Sequence, residues 1–159
     1  MLFRSGLGAL QLDKGEYDKA AATFEKLAAA YPDSAEGKSA NFSLIRSALQ
    51  VGKKEIAQSA FEKMLQNKDS FSPPEFNRVG QLMLDNGMYE PSIMAFRQVR
   101  GATEDRAHLE RALFGLGSAH YEMKNYDESI KPLEELMERY PQSGLFYAAK
   151  FILDRKRVV

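Results

Sequence analysis

Apolar positions in this chain fall three and four residues apart, and the stripes they draw come back at regular intervals. Ala20, Phe24 and Leu27 form one stripe, within a run from about Tyr17 to Ala30. Ala57, Phe61 and Met64 form a second, Ser92, Phe96 and Val99 a third, and Ser129, Leu133 and Leu136 a fourth. These spacings put each set on one side of an α-helix. A second amphipathic run precedes every stripe, and polar, turn-forming residues part the two. The turns are predicted at Lys14-Gly15-Glu16, at Gly52 and at Gly87. In the fourth repeat Asn125 is expected to cap the second helix, with Glu128 three residues on.

The first helices of the pairs are predicted at about Leu2–Asp13, from Ser34 as N-cap to Gln50, behind the capping box Ser72-Pro73-Pro74-Glu75, and at about Glu104–Met123. Pro32 should stop the second helix of the first pair, and Gly101 should cap the C-terminus of the third. Pro132 falls inside the last second helix, where a bend is expected. Tyr17-Asp18-Lys19-Ala20 through Tyr31-Pro32-Asp33-Ser34 returns as Tyr126-Asp127-Glu128-Ser129 through Tyr140-Pro141-Gln142-Ser143, 109 residues or three periods later. A period of this size predicts an all-α stack of helix–turn–helix repeats, each burying its stripe against a neighbour. The repeats are set at 1–37, 38–72, 73–109 and 110–143, with a terminal helix over 144–159, in one domain.

Mid-helix glycines cost about 1 kcal/mol relative to alanine. Gly8, Gly80 and Gly117 are therefore expected where two helix axes approach with no side chain between them, facing Ala20, Ala57, Ser92 and Ser129 as small partners. Phe24, Phe61 and Phe96 are expected to fill the gap to the next repeat, each contributing roughly 1.5–3 kcal/mol when buried.

These residues resemble the tetratricopeptide repeat, whose unit carries Leu-Gly, a small residue, an aromatic four later and a late Pro. The first repeat matches with Leu7-Gly8, Ala20, Phe24 and Pro32, and the fourth with Leu116-Gly117, Ser129, Leu133 and Pro141. The second has Leu44-Ile45 in place of Leu-Gly, the second and third lack the late Pro, and the family's early Trp is absent. The Tyr-Pro-x-Ser ending and long period resemble a bacterial subtype common in cell-envelope proteins. The resemblance thus implies the envelope or periplasm ahead of the cytoplasm. It also implies a right-handed α-solenoid whose first helices line a concave face and whose second helices lie outside.

Carried over by phase, the groove positions are Leu2, Ser5 and Ala9; Phe42, Arg46 and Leu49; Asn77, Gln81 and Leu84; and Arg111, Phe114, Ser118 and Tyr121. The partner-binding residues are expected among Phe42, Arg46, Asn77, Gln81, Arg111, Phe114, Ser118 and Tyr121. Phe42 and Phe114 also fit plain packing between neighbouring helices. Chaperone-binding members grip a terminal carboxylate, but here only Arg78 fits that pattern. Ser5, Ala9, Ser43 and Pro74 occupy the other sites, so no such grip is expected.

Lys plus Arg equals Asp plus Glu at 22 each. A neutral chain draws in neither nucleic acid nor anionic lipid, and neither is expected as a partner. Hydrophobic residues are 44%, the globular average, which excludes a disordered chain. There is no cysteine, so disulfides, thiolate metal sites and thiol catalysis are excluded. No run is long and apolar enough for a membrane helix, and the first residues do not form a signal peptide. Helical pattern starts at Leu2, and 144–159 reads as the first helix of a fifth repeat. The chain is therefore expected to be a segment of a longer array.

No catalytic constellation, cofactor motif or metal set emerges. His108 and His120 are 12 residues apart on one helix, about 18 Å, too far to share an ion. Gly6-Leu7-Gly8 and Gly115-Leu116-Gly117 follow no strand and read as packing rather than phosphate loops. Glu134, Glu135 and Glu138 read as a solvated face, and Arg155-Lys156-Arg157 as complement to a helix dipole. The expected function is a non-enzymatic scaffold for a peptide or protein partner. The alternative is self-assembly through the terminal helix, where Phe146, Phe151 and Ile152 lack a following repeat.

Overall fold

The computed structural model describes the backbone of residues 2–156 and the side chains of residues 6–155. Its helices begin in two ways. In the first manner a side chain receives the free amides. Ser34 Oγ accepts from Gly37 N at 3.0 Å and caps α3 (Ala35–Gln50). Glu75 accepts from Ser72 N and Oγ, both at 2.7 Å, at the start of α5 (Pro73–Asp85). Asp105 Oδ1 accepts from His108 N at 3.1 Å and caps α7 (Arg106–Glu122). Such caps satisfy amides that have no partner in the helix itself.

The second helices start without any side-chain cap. These are α2 (Tyr17–Ala30), α4 (Lys54–Gln66), α6 (Tyr89–Ala102) and α8 (Tyr126–Arg139). Each follows a turn closed by a backbone bond from a residue to the fifth before it. Glu16 N donates to Gln11 O at 2.8 Å at the end of α1 (Leu2–Asp13), and Lys53, Met88 and Asn125 donate to Ala48, Met83 and His120, each at 2.9 Å. This Schellman geometry needs one residue with positive φ. Gly15 and Gly52 supply φ of 73°, Gly87 70°, and in the fourth turn Lys124 is held at 62°. The cap expected from Asn125 is thus not made, because its backbone, with ψ of 63°, is committed to the turn instead of the extended shape a cap adopts. Gly101 is likewise no C-cap: α6 runs on to Ala102 and ends at extended Thr103. α8 continues through Pro132, which is buried.

Two halves, 1–71 and 72–159, separate as compact bodies. The first holds α1 to α4 and a 3-10 turn at Lys68–Ser70, and its core includes Phe24, Leu27, Leu44, Ile45, Phe61 and Met64. The second holds α5 to α9, the last spanning Phe146–Lys156. Among the described residues there is no strand.

The glycines mark close packing, but not as the spacing alone suggests. A Cβ on Gly8 would lie 2.6 Å from the Phe24 ring, one on Gly80 2.9 Å from Phe96, and one on Gly117 2.3 Å from Leu133. The large residue of the second helix sits over the glycine, and in the third repeat the expected small partner meets it as well, Ser92 Oγ donating to Gly80 O at 2.8 Å. Phe96 is also covered from the next repeat, since a Cβ on Gly115 would meet its ring at 2.3 Å. The ring is held between two glycines and is 1% exposed. α9 closes the second half with Ala149, fully buried among Leu113, Leu133 and Leu136.

Candidate functional site

The predicted groove positions fall on α1, α3, α5 and α7, two of these helices in each half. In the N-terminal half a cavity of about 420 Å³ opens beside α1 and α3. Phe24 and Leu27 line it with Ala9, Ala40, Ser39 and Ser43, and Glu36 adds a carboxylate. Ala9 is thus the predicted position that reaches it. Ser39, Ser43 and Glu36 were not among the predicted groove positions. The signal that finds them is internal: residues 72 further on are Gln81 for Ala9, His108 for Glu36 and Arg111 for Ser39. Ala9 and Ser39 are thus much smaller than their counterparts, whereas Glu36 and Ser43 are not. On the same helix Arg46 is exposed, Phe42 is half-buried and Leu49 is buried at 5%. Leu2 and Ser5 lie outside the described side chains.

In the C-terminal half Gln81 and Arg111 are exposed, and Gln81 Nε2 donates to Asp85 Oδ1 at 2.8 Å. Asn77 is buried at 5%, and its Nδ2 donates to His108 O at 3.1 Å, tying α5 to α7. Phe114 is half-buried against the Leu113–Leu133–Leu136–Ala149 cluster. These two serve packing within the half. Ser118 is half-buried, and its Oγ has no partner among the described residues. Tyr121 is half-buried, its ring centroid 5.4 Å from that of Tyr126 at a tilt of 58°. Of the predicted positions with described side chains, Arg46, Gln81 and Arg111 are thus exposed and Tyr121 half-buried, whereas Asn77 and Phe114 are taken up in packing.

Charge is organised within the halves. Arg100 Nη2 lies 2.5 Å from Glu135 Oε2, and Glu135 Oε1 accepts from Arg139 Nη1 at 2.9 Å. Glu135 is thus an ion-pair bridge, whereas Glu134 and Glu138 are exposed as expected. The hydrogen bond to Glu135 holds the Arg139 guanidinium even more firmly protonated. Burial acts to raise the Glu110 carboxyl, but hydrogen bonds from Arg106 and Ser143 outweigh it and hold the group below its ordinary value. The Ser143 bond, 2.7 Å long, ties α7 to the turn that precedes α9. His120 is pushed down, first by burial and then by Arg97, against the opposing pull of Glu128. Arg155 stacks on Phe151 at 4.9 Å. Arg157 lies outside the described residues. Among the described residues no three His, Cys, Asp or Glu side chains gather as metal ligands, and no helix is long and apolar enough to cross a membrane.

Helical hairpins joined by one recurrent turn, with large residues locked over glycines, define an all-α helical-repeat protein. Residues 2–34 and 111–143 match the family model described as Tetratricopeptide repeat, and this match supports that family for the chain. Repeats of this kind generally mediate protein–protein interaction as non-catalytic scaffolds. A solved structure titled "Functional Characterization of Pseudomonas Aeruginosa pilF" aligns with 96% of this chain and 71% of its own, at 18% identity and a TM-score of 0.59. That likeness bears on fold and supports an all-α repeat solenoid. No curated protein matches.

Proposed function

We propose that this chain is a non-enzymatic scaffold that holds a peptide or protein partner on the face of its first helices. The observation that carries the reading is the cavity of about 420 Å³ beside α1 and α3, floored by Phe24 and Leu27 and edged by Ala9 and Ser39, whose counterparts in the second half are Gln81 and Arg111. Exposed Arg46 and Arg111 and half-buried Tyr121 add the residue types that most often dominate interfaces. Both segments that match the family end in Tyr-Pro-x-Ser, at 31–34 and 140–143, which supports the bacterial subtype. The test is selection of binders from a displayed peptide library, followed by Arg46→Ala, Arg111→Ala and Ala9→Gln. All three positions are exposed, so helical circular dichroism should be unchanged while binding falls. Binding that survives all three refutes the reading.

A second reading is self-association through α9, favoured by Tyr147 at 80% and Phe151 at 60% exposure. Light scattering coupled to size exclusion decides it. A monomer at high concentration removes it.

A further inference from the structure

The second helices of the N-terminal half enclose a separate site. α2 and α4 wall a groove floored by α3, in which two cavities of about 240 and 200 Å³ share Glu25, Leu44 and Lys63. The inner cavity is lined by groups that accept hydrogen bonds. Asn41 is 7% exposed, and its Nδ2 donates to Ala60 O at 3.2 Å. No donor among the described residues is recorded for its Oδ1. Ala28 and Ala29 line the same cavity from the last turn of α2. The carbonyl of Ala28 would normally bond the amide of residue 32, but that residue is Pro32 and has none. No amide beyond the helix reaches the carbonyl of Ala28 or Ala29. The end of α2 adds the negative pole of its dipole. Glu25 and Glu55 outnumber the single ammonium of Lys63 along the two cavities.

The C-terminal half shows how the chain treats this place elsewhere. Seventy-two residues on, Ala28 becomes Arg100, Pro32 becomes Glu104, Lys63 becomes Glu135 and Asn67 becomes Arg139. There the groove carries its own guanidinium groups, with Arg100 and Arg139 both on Glu135 and Arg139 also 3.6 Å from Glu104. The first half has alanine and asparagine at the two arginine positions and an open cavity.

We propose that the groove between α2 and α4 receives an arginine side chain from a partner protein. The guanidinium offers five N–H donors and accepts nothing, which suits a site made of the Asn41 amide oxygen, two helix-end carbonyls and a carboxylate. Its aliphatic stem lies against Leu44 and Met64 at the floor. This site is walled by second helices and floored by Asn41 and Leu44 of α3, and its lining on α3 differs from that of the cavity proposed above, which uses Ser39, Ala40 and Ser43.

The test titrates the isotopically labelled full chain with N-acetyl-leucyl-arginine amide, followed by NMR. The controls are the same compound with citrulline, which keeps shape and loses charge, and with glutamate. Saturable shifts are expected at the Asn41 side-chain amide and at Ala28 and Ala29. Binding should be about fivefold weaker for citrulline, whose neutral N–H donors make hydrogen bonds about half as strong, and absent for glutamate, which offers no donor. Glu25→Gln should weaken arginine binding, Lys63→Gln should strengthen it, and Ala28→Arg should abolish it. Equal shifts with citrulline or glutamate overturn the proposal. So do shifts confined to first-helix residues other than Asn41 and Leu44, which would leave the scaffold reading intact, and so does the absence of any shift at about 20 mM peptide, where a site of millimolar affinity is nearly filled. Lys63→Gln that weakens arginine binding also overturns it.

Discussion

Replacing Gly115 by alanine should destabilise the C-terminal half by about 2 kcal/mol, although alanine is the better helix former. The new methyl would lie 2.3 Å from two atoms of the Phe96 ring and 2.7 Å from a third, where ordinary contact begins near 3.4 Å. The ring has no free direction, because Gly80 backs its other side and it is 1% exposed. Overpacking of this severity costs up to about 3 kcal/mol. The gain in helix propensity returns about 1 kcal/mol, which leaves about 2. Gly101→Ala is the matched control: it lies in α6 with no heavy atom within 4 Å, so the same change there should stabilise by up to about 1 kcal/mol. Urea unfolding followed by far-ultraviolet circular dichroism measures both. In a Phe96→Ala background the methyl of Gly115→Ala would enter vacated space and only the propensity gain would remain, so the double variant should be more stable than the sum of the two changes by about 3 kcal/mol, the whole overpacking cost. If Gly115→Ala stabilises as Gly101→Ala does, the account of Phe96 as a wedged ring is wrong.

Lys124→Gly should raise stability by about 1 kcal/mol, because a lysine at φ 62° bears a strain that glycine lacks; a lowered urea midpoint would refute this. Ser34→Ala should cost about 1 kcal/mol by removing the cap of α3, read as a fall in thermal midpoint. His120 is held below its ordinary value of 6.5, so the folded state favours the neutral ring. Its contribution is therefore fully present above that pH and is lost as pH falls through the folded pKa, and a stability–pH profile should be flatter in that window for His120→Asn. An unchanged profile would assign the acid sensitivity to another group.

Much of the fold was legible in the sequence. The stripes at Ala20-Phe24-Leu27 and its three echoes are buried as their spacing requires, and the turn glycines at 15, 52 and 87 occupy the positive-φ region. Both follow from local rules, since side-chain direction in a helix depends on spacing and positive φ on the lack of a Cβ. The misses have one cause. Asn125 carries a capping side chain, but its backbone already belongs to a turn set by residues before it. Gly101 looks like a helix end because nothing local forbids one, whereas the helix continues.

The candidate site was legible in outline only. Phase places Arg46, Gln81, Arg111 and Tyr121 on one side of their helices, but whether such a residue meets solvent depends on the neighbouring helix. Asn77 shares the phase of Phe42, yet its amide spans to α7, and Glu135, which reads as solvated, is met by Arg100 from α6. What the sequence alone determined is therefore the repeat, its helices and their buried faces, because these depend on residues within one turn of each other. Tertiary structure decided which glycine meets which ring, where cavities open and which charges are paired, because those depend on what a different helix sets opposite them.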